Sequence, residues 1–133
     1  MLIKKLNEAI DILNSLIETT RRDIENIKKA NHQEVFDNIK RKEELAKYFL
    51  NIKNGIDLIL ARRNKPIEEI FSNEEEKLFE EFKKKLIEFN TLHKKFSKLA
   101  ISVTNFYNTL VQQISKENST NSSFKNSNLF IKA

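Results

Sequence analysis

Residues 79–114 read FEEFKKKLIEFNTLHKKFSKLAISVTNFYNTLVQQI, and this stretch decides the fold. Phe79, Phe82, Leu86, Phe89, His93, Phe96, Ala100, Val103, Tyr107, Leu110 and Ile114 follow one another in steps of three and four without a slip. That spacing lays them along one face of an α-helix. Leu78, Leu92, Leu99 and Phe106 run beside the stripe and widen it. Upstream, Ser72 followed by Glu75 is a capping box, and Glu74 to Glu76 suit the positive helix start. A helix from residue 74 to 117 is expected, about 65 Å long at ~1.5 Å per residue.

Working outward, residues 2–29 repeat the pattern with Leu2, Leu6, Ala9, Leu13, Leu16, Thr20, Ile24 and Ile27. Ile3, Ile10 and Ile17 broaden this stripe beyond a two-chain seam, so the helix wants more than one neighbour. It reaches only ~40 Å. Residues 32–63 carry Val35, Ile39, Leu45, Phe49, Ile52, Ile56 and Ile59. Asn31 and Glu34 make a loose capping box at its start, and Lys42 lies close to the stripe, its ammonium expected to snorkel outward. Pro66 ends this helix, and residues 67–71 suit one helical turn. Whether the first two helices form a hairpin or one bent rod is left open by the pattern. Glycine and proline occur once each, at Gly55 and Pro66, so the chain has few means of making the tight turns that sheets and barrels need. The expected fold is all-α: an antiparallel bundle or coiled coil of three long helices (2–29, 32–63 and 74–117) forming one domain over 1–117. Residues 118–133 are polar and Asn/Ser-rich, a composition that favours a disordered tail.

The composition excludes several chemistries. There is no cysteine, so disulfides, thiolate metal sites and cysteine nucleophiles are ruled out. The two histidines, His32 and His93, fall in different helices, and His93 holds a core position of the heptad pattern. The glutamates of 74–76 and 80–81 read as a solvated face. No catalytic constellation, metal site or cofactor site is expected. The net charge of +5 arises from 24 basic and 19 acidic residues mixed along the chain. Lys40-Arg41-Lys42, Arg62-Arg63-Asn64-Lys65 and Lys83-Lys84-Lys85 are the clusters a nucleic-acid binder would use, but glutamates flank each one and no base-reading motif accompanies them. No segment suits a membrane span or a signal peptide, so a cytosolic protein is expected.

At the junction of the first two helices, Ile27-Lys28-Lys29-Ala30-Asn31-His32-Gln33-Glu34-Val35-Phe36-Asp37-Asn38-Ile39 leads into Lys42-Glu43-Glu44-Leu45. This pattern resembles FlgN-type flagellar export chaperones, in which a first helix yields to a short polar junction and then an apolar-x-x-x-Lys stretch. The size, the long last helix and the polar tail are similar too. The resemblance implies a cytosolic chaperone that binds hook–filament junction proteins through their C-terminal helical segments. It also implies delivery to the flagellar type III export apparatus, without ATP hydrolysis by the chaperone. The longer third helix overhangs the first, and its apolar end suits an amphipathic partner helix. Expected contact residues are Val103, Phe106, Tyr107, Leu110, Val111 and Ile114, supported by Phe124, Leu129 and Phe130 of the tail. The rival expectation is a structural coiled coil that self-associates through the same stripe as a stable dimer, where the chaperone would be a monomer or weak dimer.

Overall fold

The computed structural model describes residues 1–117, and the tail calls at Phe124, Leu129 and Phe130 lie outside the described residues. Three α-helices follow in order: α1 (Leu2–Lys28), α2 (His32–Arg63) and α3 (Asn73–Glu117), with a 3₁₀ turn at Ile67–Glu69 before α3. The expected bundle is observed, and no strand occurs among the described residues.

The first two helices form a hairpin. Three residues reverse the chain, and Ala30 takes the left-handed conformation at φ 60°. The Asn31 amide donates to the Asn26 carbonyl at 2.7 Å and the Ala30 amide to the Ile27 carbonyl at 3.1 Å. These two bonds are the Schellman closure of a helix end, which usually places glycine where Ala30 stands.

α1 is the shared neighbour. It packs against both α2 and α3, while the α2 and α3 backbones stay more than 8 Å apart, Cα to Cα, along their whole length. That arrangement explains the wide stripe of α1, which is covered from two sides. Leu2, Leu6, Leu13 and Leu16 are fully buried, each contributing roughly 1.5–3 kcal/mol by removal from water. Among the described residues, the buried apolar side chains from α2 are Ile52 and Ile56, and from α3 Phe82. Phe49 of α2 stacks on Phe82 at 5.9 Å between ring centroids, and that pair bridges the gap under α1. Gly55 leaves α2 unbroken and gives the Lys5 side chain room to lie across it, within 3.1–3.3 Å of where a Cβ would stand.

The ends of α2 and α3 differ from expectation in instructive ways. At Asn31 no side-chain cap forms, and Asn31 Nδ2 instead donates to Glu34 Oε2 at 3.1 Å. The Asn31 amide is already spent on Asn26, so Glu34 has no cap donor to accept. At Ser72 the capping box closes in both directions, Ser72 N to Glu75 Oε1 at 2.9 Å and Glu75 N to Ser72 Oγ at 3.3 Å. Glu75 is not part of a solvated face. It is buried, and Arg63 grips it with two nitrogens at 2.7 Å each while also donating to the Ile70 carbonyl at 2.8 Å. The guanidinium holds the Glu75 carboxyl at a pKa of about 2, against an ordinary 4.5, with the Ser72 amide assisting.

Candidate functional site

Above the core the α2–α3 gap is crossed by Lys42 over Phe96 and by His32 against Tyr107, and it opens into a groove. α2 supplies Val35, Phe36, Ile39, Lys42 and Glu43 as one wall; α3 supplies His93, Phe96, Ala100, Val103, Thr104 and Tyr107 as the other. Ile27, near the end of α1, forms the floor, and the open groove has a volume of about 310 Å³. The helical periods dictate these walls. Val35, Ile39 and Lys42 share one face of α2, and His93, Phe96, Ala100, Val103 and Tyr107 continue the α3 stripe past the region where α1 covers it. Of the lining residues only Ile27 is fully buried. His32 meets Tyr107 edge to face at 5.9 Å and draws the upper ends of the walls together.

The polar groups in the walls are mostly committed elsewhere. Lys42 does not snorkel outward. Its ammonium sits 2.8 Å from Asp23 Oδ2 and 4.0 Å from the centroid of the Phe96 ring, tying α2 to both neighbours. Burial of Asp23 at 1 % exposure supplies the reason: a carboxylate taken out of water draws in the nearest cation, and Asn38 Nδ2 donates to its other oxygen at 2.9 Å. The Thr104 hydroxyl bonds the Ala100 carbonyl at 2.9 Å. The resulting surface is predominantly apolar, with Glu43 and two imidazoles at its edges. His93 is exposed rather than packed in a core, and lies between Phe89 and Phe96 at ring distances of 5.7 and 6.3 Å. A heptad position becomes a core position only where a neighbour covers it, and no described residue buries this one. Among the described residues no group of three or more His, Asp or Glu is placed to hold a metal ion. No described helix is long and apolar enough to cross a membrane.

The contact residues expected from sequence divide into two sets. Val103 and Tyr107 line the groove. Phe106 is 64 % exposed, packs edge to face on Tyr107 at 5.7 Å, and faces away from the groove with Leu110, which is 41 % exposed. Val111 and Ile114 are half-buried on the overhang beyond Tyr107. No hydrogen bond, ion pair or ring contact among the described residues ties 108–116 to α1 or α2. The α2 wall was not anticipated. Its signal lay in Val35, Phe36 and Ile39 following the hairpin, but periodicity treats each helix alone and does not show which faces are held apart.

Comparison with protein-family models, curated proteins and solved structures gives no match to this chain.

Proposed function

We propose that this chain is a cytosolic export chaperone of the FlgN type. It holds the C-terminal helical segment of hook–filament junction (hook-associated) proteins and aids their delivery to the flagellar type III export apparatus. The groove between α2 and α3 is the observation that carries the proposal. An amphipathic helix docks by laying an apolar face into such a groove, with anchors every three to four residues. From His93 to Tyr107 the α3 wall rises ~21 Å, enough for about four turns of a client helix. An interface that small belongs to the transient class, as an export client that must be released requires. The intramolecular use of the basic clusters points the same way. Lys42 is committed to Asp23 and Arg63 to Glu75, so two of the three clusters have lost a member that phosphate binding would use.

The test is size-exclusion chromatography with light scattering of the chain mixed with a junction-protein C-terminal fragment. Residues 1–133, a 1–117 truncation and an Ala100→Trp variant that fills the groove are run side by side. The expected result is a one-to-one complex that Ala100→Trp abolishes, with any loss on truncation measuring the tail's share. No complex, together with a tight dimer of the chain alone, would establish the self-associating coiled coil instead. The exposed Phe106 and Leu110 favour that second reading.

A further inference from the structure

We infer that the groove is the vacant fourth corner of an antiparallel four-helix bundle, and that its occupant is a separate helix with acidic flanks. The inference rests on the binding proposal above and adds the partner's place and charge. In a four-helix bundle each helix touches two neighbours and faces the third across the diagonal. Here α1 touches both α2 and α3, whose backbones keep apart, so α2 and α3 stand in the diagonal relation. One corner opposite α1 is then open. Apolar residues also remain exposed along both helices. Phe36 and Leu50 of α2 lie two heptads apart and are 51 % and 53 % exposed. Ile87 and Ile101 of α3 share that spacing at 65 % and 60 %.

Charge selects the occupant. Between Glu88 and Glu117 α3 carries no acidic residue, only Lys94, Lys95, Lys98 and Lys116. On α2, Lys40 follows the lining residue Phe36 by four positions and Lys47 follows Glu43 by four, which sets both on the groove side of that helix. Lys40, Lys47 and Lys94 are exposed and form no ion pair among the described residues. A helix in the corner lies within about one Debye length (~8–10 Å) of these ammonium groups. A second copy presenting its own α3 brings lysines against lysines. Residues 118–133 carry Lys125 and Lys132 with no acidic residue, so the chain's own tail is opposed in the same way. A partner helix with an apolar stripe and acidic flanks meets both requirements.

The experiment uses the full chain and three synthetic helical peptides sharing one Leu/Ile stripe, with flanks of Glu, Gln or Lys. Fluorescence anisotropy gives each Kd at low and high salt. The Glu peptide is expected to bind about tenfold more tightly than the Lys peptide at ~0.05 M salt, the difference closing at ~0.5 M. A Lys40→Glu/Lys47→Glu/Lys94→Glu variant should invert the order, and Ala100→Trp should weaken all three peptides. Equal affinities, or preference for the Lys peptide, would overturn the inference. So would tighter binding of the Glu peptide to 1–117 than to 1–133, which makes the tail the occupant, or a dimer that the peptide dissociates, which makes it a second copy. If a junction-protein fragment binds at the groove while the peptides show no charge order, only this inference fails. If the Glu peptide is preferred and the fragment does not bind, only the assigned client fails.

Discussion

Asp23 is the residue whose environment most constrains this fold. It is buried on α1, and its charge is met by Lys42 and Asn38 of α2. Removing one partner of such a pair leaves the other stranded, which typically costs 3–5 kcal/mol, whereas replacing both by apolar groups is often close to neutral. Asp23→Ala should therefore destabilise the chain by about 3 kcal/mol in urea unfolding, while Asp23→Leu with Lys42→Met should fall much nearer wild type. A double mutant no better than the single would show that the pair contributes net stability. Ala30 gives a prediction of the opposite sign. A left-handed alanine costs about 1–2 kcal/mol that glycine avoids, against ~0.4–1 kcal/mol of extra unfolded-state freedom. Ala30→Gly is expected to raise stability by about 0.5 kcal/mol and move the urea midpoint upward. Neither site was legible beforehand. A single aspartate beside an apolar stripe looks like any surface aspartate until a second helix covers it, and the alanine at 30 conceals a turn that glycine would have advertised.

At the scale of elements, the chain's helices were the most readable feature, because the three- and four-residue steps of α1 and α3 admit no other regular structure. Their ends were readable where a backbone donor remained free. The Ser72–Glu75 box closed as its spacing demands, and the Asn31–Glu34 pair did not, for want of the Asn31 amide. The Arg63–Glu75 grip could not be read from spacing, since it joins the last turn of α2 to the first turn of α3 across the Pro66 connection. It makes the helix junction acid-sensitive. The folded pKa of Glu75 is depressed to about 2 from 4.5, so its stabilisation is full above the unfolded value and is lost as pH falls towards 2. Stability measured from pH 6 down to ~2 should drop through that window, and Glu75→Gln should flatten this part of the profile. At neutral pH the same substitution should cost about 2 kcal/mol, below the full cost of breaking a buried pair because Arg63 is 29 % exposed.

For the molecule as a whole, stability and the candidate site are set at opposite ends. The buried side chains gather along α1 and the lower parts of α2 and α3, while among the described residues no hydrogen bond, ion pair or ring contact ties the overhang beyond Tyr107 to α1 or α2. Amide hydrogen exchange should follow this gradient. Amides of Leu6 to Leu16 are expected to exchange at least about a hundredfold more slowly than those of Thr109 to Lys116, with uniform protection along α3 counting against an uncovered end. The overhang was foreseeable from helix lengths alone. The groove was not, because it depends on α2 and α3 standing apart, a relation between helices that no single stripe records.

The near absence of fully buried residues from the groove walls has a consequence for how this chain tolerates change. Core positions punish substitution through the cavities they leave, while half-covered ones do so weakly. Phe36, Ile39, Ala100, Val103 and Thr104 can thus drift, or be varied together in a library, with the hairpin and the base of α3 still assembling beneath them. The same scaffold is in that sense reprogrammable: a lineage or an engineer can rewrite what the upper half recognises without renegotiating the lower half.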